Sequence, residues 1–72
     1  MNMETRDDLM QRLTAAYTEL RGLAPKIYTP AHVAAQLRAA EKIRSAELLY
    51  FVVDAEYVVK RKRNRMSPAT GV

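Results

Sequence analysis

The sequence predicts an all-α protein, built as an antiparallel helical hairpin with a long second helix. Apolar residues between positions 9 and 23 recur at alternating spacings of four and three, which is typical of one face of a helix. Thr29-Pro30 then forms a helix start signal, and no glycine or proline follows until position 68. The 72 residues allow one small domain, near the lower size limit for a self-sufficient core.

The first helix is predicted at about residues 5–21. Thr5 is suited to cap its N-terminus, and Asp7 and Asp8 in the first turn favour the positive end of the helix dipole. Gly22 is expected just past the helix, in the left-handed conformation that often ends helices. The apolar stripe of this helix consists of Leu9, Leu13, Ala16, Leu20 and Leu23.

The second helix is predicted at about residues 30–63, within a single helical domain of residues 1–65. Thr29 can cap it, and Pro30 is preorganised for the first helical position. The segments LLYFVV and YVVK are also rich in strand formers, but no glycine or asparagine lies between them to form a tight hairpin turn. Residues 66–72 are predicted to be a disordered tail.

The second helix carries more apolar surface than the first can cover. At 1.5 Å per residue, the two helices span about 25 and about 50 Å. One apolar stripe consists of Val33, Leu37, Ala40, Leu48, Phe51, Ala55 and Val58. A second stripe, rotated by more than a quarter turn, consists of Ile43, Ala46, Tyr50, Val53 and Tyr57.

This unpaired apolar surface predicts a homodimer formed by the C-terminal halves of two second helices. Burying a large apolar side chain contributes about 1.5–3 kcal/mol, so leaving the second stripe in water is costly. The expected dimer interface consists of Ala46, Tyr50, Val53 and Tyr57. The alternative is a monomer in which the second helix breaks near Ser45 and folds back as a third helix, which also buries this segment.

The composition argues against an enzyme and against a cofactor or metal. The chain has no cysteine, which excludes disulfides and thiolate metal sites. His32 is its one imidazole. Asp7 and Asp8 are adjacent in the sequence, so on a helix they project about 100° apart, which is a poor geometry for paired carboxylates. The two glycines, at positions 22 and 71, cannot form a phosphate-binding loop.

The positive charge is concentrated near the C-terminus. Residues 1–59 hold seven Lys/Arg against eight Asp/Glu, while residues 60–72 hold five basic residues and no acidic one. The basic residues are Lys60, Arg61, Lys62, Arg63 and Arg65. They favour either contact with nucleic acid phosphates or a solubilising role at the negative end of the helix dipole.

Taken together, these features predict a small non-enzymatic protein that binds another protein and modulates or inhibits it, acting as a helical homodimer. Tyrosines suit protein interfaces because the ring is buried while the hydroxyl stays hydrogen-bonded. Arg44 is included because it interrupts an apolar stripe. The candidate partner-binding residues are Lys26, Tyr28, Arg44, Tyr50 and Tyr57. The alternative function is a small nucleic-acid-binding regulator that uses the segment from Lys60 to Arg65.

The sequence also predicts a cytoplasmic protein without a membrane segment. The N-terminal residues MNMETRDDLM lack the apolar region of a secretory signal. The apolar segment at 46–59 is interrupted by Glu47, Asp54 and Glu56, and a membrane span needs about 20 mostly apolar residues.

Overall fold

The computed structural model describes residues 5–66, and these form three helices. They are α1 (Arg6–Leu23), α2 (Pro30–Glu41) and α3 (Ser45–Met66). No strand occurs within this range, so the predicted all-α class is confirmed for the part of the chain that the structure describes. The predicted disordered tail lies outside the described residues, apart from Met66, which ends α3.

Both predicted helix starts are confirmed. Thr5 caps α1 in a reciprocal capping box: its hydroxyl accepts a hydrogen bond from the Asp8 backbone N–H at 3.1 Å, and the Asp8 carboxylate accepts one from the Thr5 N–H at 3.3 Å. Thr29 caps α2 by accepting from the His32 N–H at 3.2 Å, with Pro30 in the first turn. These local bonds satisfy backbone donors that a helix start leaves free.

The predicted end of the first helix is wrong by about one half-turn. Gly22 is helical, and no glycine among the described residues has a positive φ. Ala24 ends α1 instead, with φ −143°, and its N–H donates to the Leu20 carbonyl at 2.8 Å. An extended φ needs no glycine, so the turn forms without the left-handed residue that Gly22 was expected to supply.

The predicted continuous second helix is also wrong, because the chain turns at residues 42–44. Lys42 ends α2 with φ −98° and ψ −4°, and its N–H bonds to the carbonyls of Ala39 and Ala40. Helical bonding resumes where the Leu48 N–H donates to the Arg44 carbonyl at 2.8 Å. The third-helix alternative, with a break near Ser45, therefore describes the chain better than the two-helix hairpin.

Burial explains the turn, since the sequence around it contains neither glycine nor proline. Interrupting the helix costs a few backbone hydrogen bonds, each worth about 0.5–1.5 kcal/mol net. Folding α3 back onto α1 buries four apolar residues, of which the leucine and the two valines each contribute up to about 1.5–3 kcal/mol and the alanine less. Those residues are Leu48, Val52, Ala55 and Val59.

The first helix is the centre of the fold, because both other helices pack on it. Arg6 at its start donates to the carbonyls of Ala40 and Glu41 at 3.0 and 2.6 Å, so α2 runs antiparallel to α1. Arg12 on α1 pairs with Glu56 on α3. The ion pairs between these two helices follow the same order along both, so α3 runs parallel to α1. From α1 the core takes Leu9, Leu13, Ala16, Tyr17 and Leu20.

The arrangement is a slab rather than a closed bundle. Its Cα atoms span 40 × 34 × 14 Å. The contacts of α2 and α3 are mainly with α1, and between them the surface of the slab is open. This geometry places residues from all three helices along one cleft.

The adjacent residues Leu48 and Leu49 provide a matched test of the core. Leu48 is fully buried whereas Leu49 is 42% exposed. We expect Leu48→Ala to lower the free energy of unfolding by about 2–5 kcal/mol, since it leaves a cavity between α1 and α3. Leu49→Ala should cost about 1 kcal/mol or less. Urea denaturation of both variants measures the difference, and equal losses would contradict the packing of α3 described above.

Candidate functional site

An open cleft lies between α2 and α3, with α1 at its floor. Its volume is about 750 Å³. The cleft is lined by all four tyrosines of the sequence, and by the one phenylalanine and the one histidine of the sequence. The lining residues are Tyr17, Tyr28, His32, Gln36, Tyr50, Phe51, Val53, Asp54 and Tyr57.

We call this surface the tyrosine cleft. A series of contacts between aromatic rings forms its inner side. Tyr17, on α1, is buried, and its ring centroid lies 6.1 Å from that of Tyr28 at an interplanar angle of 42°. Tyr28 in turn makes an edge contact with His32 at 5.7 Å. Such ring pairs add about 0.5–1.5 kcal/mol beyond area burial, so they fix the α1–α2 connection against both helices.

The outer side of the tyrosine cleft is an exposed apolar ridge on α3. Tyr50, Val53 and Tyr57 are 76%, 52% and 57% exposed. Their spacing of three and four places them on one face of the helix, opposite the buried face that contacts α1. We call this face the α3 ridge and define it by Ala46, Tyr50, Val53 and Tyr57.

Asp54 is the one carboxylate in the cleft lining, and it is exposed. Within residues 5–66 it makes no hydrogen bond and no ion pair. Glu56, two residues further along α3, is by contrast held by Arg12 through two hydrogen bonds of 3.0 and 2.6 Å. The cleft therefore presents an uncompensated negative charge among aromatic rings.

Burial raises the pKa of the Tyr17 hydroxyl above its ordinary value of 10.0. Desolvation is the largest cause, and the neighbouring Tyr28 and the Asp54 carboxylate raise the pKa further. Tyr17 therefore stays neutral and can donate a hydrogen bond at the floor of the cleft throughout the physiological range. Both Tyr17 and Asp54 line the cleft.

The structure brings together three of the five predicted partner-binding residues. Tyr28, Tyr50 and Tyr57 line the tyrosine cleft. Lys26 is exposed in the α1–α2 connection, and Arg44 is exposed in the turn before α3; neither lines the cleft. Arg44 makes no side-chain hydrogen bond or ion pair within the described residues.

The four residues predicted to form a dimer interface are all exposed in the single chain. They lie together on the α3 ridge, and two of them, Val53 and Tyr57, also line a second groove between α1 and α3. The face that a second copy would cover and the mouth of the tyrosine cleft are thus largely the same surface.

The basic segment spreads around the end of α3, but Arg61, Lys62 and Arg65 share one side of the helix, where they line a small groove with Val58. Successive residues of a helix project about 100° apart, so five basic residues within six positions do not all point in one direction. Two of them are engaged within the chain: the Arg61 guanidinium lies 5.8 Å from the centre of the Tyr57 ring, and Arg63 forms an ion pair with Glu19. The remaining ones are Lys60, Lys62 and Arg65.

Sequence reasoning missed the rest of the cleft. The sequence patterns assign no site to Tyr17, His32, Gln36, Phe51 or Asp54, although all five line the cleft. The spacing of Tyr50 and Asp54 by four residues could have indicated a shared face. No sequence signal indicates that Tyr17 and Tyr28 lie beside that face, because their approach depends on the packing of α3.

Comparison with known proteins identifies no family for this chain. No family model, curated protein or solved structure matches the chain. Among residues 5–66, no helix is long and apolar enough to span a bilayer, and no cluster of three or more potential metal ligands occurs. The chemistry of the cleft is therefore the basis for a functional assignment.

The raised pKa of Tyr17 predicts an alkaline effect on stability. Between pH 10.0 and the raised value, the folded state keeps a proton that the unfolded state has lost, so stability should fall as the pH rises through this range. Tyr17→Phe should remove this part of the fall. In a spectrophotometric titration, Asp54→Asn should lower the pKa of Tyr17; an unchanged pKa would contradict the proximity of the two groups.

Proposed function

We propose that this protein is a non-enzymatic interaction protein that binds another protein through the tyrosine cleft and thereby blocks or modulates it. The observation that carries the proposal is the convergence of four tyrosines, from α1, the α1–α2 connection and α3, on one open cleft. Tyrosine is enriched at protein interfaces because it combines a large rigid ring with a polar hydroxyl.

The shape of the tyrosine cleft supports a protein ligand. Small-molecule sites usually enclose most of the ligand surface, whereas this cleft opens widely onto the face of the slab. The exposed α3 ridge extends the aromatic surface beyond the cleft itself. A protein segment can contact both at once, which gives an interface larger than the cleft alone.

We further propose that the chain forms a homodimer through the α3 ridge. Three large exposed side chains on one face favour coverage by a second copy, with a twofold axis as the simplest symmetry. Because Tyr50, Val53 and Tyr57 belong to both the ridge and the cleft lining, self-association and partner binding compete for the same surface. The dimer is then a closed form from which the partner releases a single chain.

Nucleic acid binding by the basic segment is the alternative function. The ion pair of Arg63 with Glu19 and the position of Arg61 against Tyr57 give two of its five basic residues a role within the fold. Of the others, Lys60 lies apart, while Lys62 and Arg65 share one side of α3 with Arg61. The contacts of Arg61 and Arg63 favour a structural and solubilising role at the end of α3.

The substitution Val53→Glu tests the homodimer. Since Val53 is half exposed in the single chain, glutamate there should leave the helices intact but place an unpaired charge in the interface. We expect wild-type protein to sediment as a dimer at micromolar concentration and Val53→Glu as a monomer with an unchanged circular dichroism spectrum. Thr18→Glu, on an exposed position of α1, is the matched control; a monomeric wild type would refute the dimer.

Affinity capture from a nuclease-treated native extract tests protein binding against nucleic acid binding. We expect a stoichiometric protein partner, bound to one copy of the chain, that Tyr50→Asp no longer retains. A variant with Lys60, Arg61, Lys62 and Arg65 changed to glutamine, but with Arg63 kept for its ion pair, should still retain it.

Recovery of nucleic acid alone would instead support the alternative function. In that case the four glutamine substitutions should abolish binding, and the wild-type affinity should fall by about one power of the salt concentration for each phosphate contact.

A further inference from the structure

We infer that the tyrosine cleft is a binding site for an arginine side chain of the partner protein, with the guanidinium among the tyrosine rings and paired with Asp54. The inference rests on the proposed function, because it concerns the same site. It adds the chemistry by which the partner is recognised.

The rings supply the first half of such a site. A cation within about 6 Å of an aromatic ring centre is attracted by the negative face of the ring. The chain already contains one contact of this kind, between Arg61 and Tyr57 at 5.8 Å. The tyrosine cleft offers three further tyrosine rings, and two of them, Tyr17 and Tyr28, lie 6.1 Å apart at an angle.

Asp54 supplies the second half and decides between a cationic and an apolar occupant. An apolar side chain that covered this carboxylate would remove it from water without replacing the lost hydrogen bonds, which is costly. A cation converts the same burial into a charge-assisted hydrogen bond. Asp54 has no ion pair among the described residues, so a ligand does not need to displace an existing partner.

Arginine fits this combination better than lysine. Its planar guanidinium can stack on a ring while donating two parallel hydrogen bonds to one carboxylate. The lysine ammonium is a more strongly hydrated point charge and gives up more hydration in a partly aromatic cleft. The mixture of several rings and a single carboxylate therefore favours a guanidinium.

The arginine is assigned to a partner protein rather than to a second copy of the chain. Three arginines lie near the end of α3, and insertion of Arg65, or of the exposed Arg44, from a second copy is an outcome that the test below distinguishes. Arg61 already lies against Tyr57, and Arg63 already pairs with Glu19. Moving either one would break a contact within its own chain.

A pair of blocked tripeptides tests the inference. One has a central arginine between two leucines, and the other has citrulline, which has nearly the same shape but no charge. We expect the arginine peptide to shift the ring NMR signals of Tyr17, Tyr28, Tyr50 and Tyr57, and the citrulline peptide to bind at least about tenfold more weakly. Asp54→Asn should weaken the arginine peptide by a similar factor, whereas Asp7→Asn, an exposed position in the first turn of α1, should not.

Three results with the peptides would overturn the inference. They are equal binding of the two peptides, arginine binding that Asp54→Asn leaves unchanged, and the absence of any ring shift with either peptide. A partner still captured by Asp54→Asn with unchanged affinity would also overturn it while leaving the proposed function intact. If the ring signals instead change with protein concentration, and Arg44→Gln, Arg61→Gln or Arg65→Gln abolishes that change, the arginine comes from a second copy and the assignment to a foreign partner is wrong.

Discussion

The packing of α3 along α1 is the interaction on which the rest of the structure depends. The buried face of α3 contributes two fully buried side chains, Leu48 and Val52, and α1 contributes two more, Leu13 and Leu20. Without this contact, α1 and α2 would form a two-helix hairpin with too little buried surface for a chain of this size. The turn at residues 42–44, the parallel direction of α3 and the position of the cleft all follow from it.

The same contact leaves α3 with two different faces. One face is inside the core, and the opposite face carries the exposed Tyr50, Val53 and Tyr57. A single layer of helices cannot cover both sides of an apolar helix, and a slab only 14 Å thick has no second layer to offer. Exposed apolar surface of this kind is typical of interaction sites, and the proposed binding site therefore lies on the uncovered face.

Three arginines of the described chain link neighbouring helices. Arg6 satisfies carbonyl groups at the end of α2, Arg12 pairs with Glu56, and Arg63 pairs with Glu19. These pairs join neighbouring helices at partly exposed positions, where each contributes little to stability but helps to define the register. Asp54 lies between two tyrosines on α3 without an ion pair among the described residues, and the arginine site proposed above depends on this carboxylate.

Local signals in the sequence determined the helix starts, the all-α class and the residues of the α3 ridge. Capping by Thr5 and Thr29 depends on bonds that span only three residues, and the apolar stripe of α1 depends on helical periodicity alone. Such interactions are nearly independent of the remaining chain. Tyr50, Val53 and Tyr57 were identified for the same reason, since their spacing along one helix places them on one face.

Only the tertiary structure decided where the second helical segment is interrupted and which residues form the cleft. No glycine or proline marks the bend near Ile43 and Arg44. The bend forms because burial against α1 outweighs the lost helical hydrogen bonds. Tyr17 and Tyr28 approach Asp54 for that reason alone: residues distant in sequence meet through the packing of α3, and the sequence pattern of each helix contains no information about its neighbour.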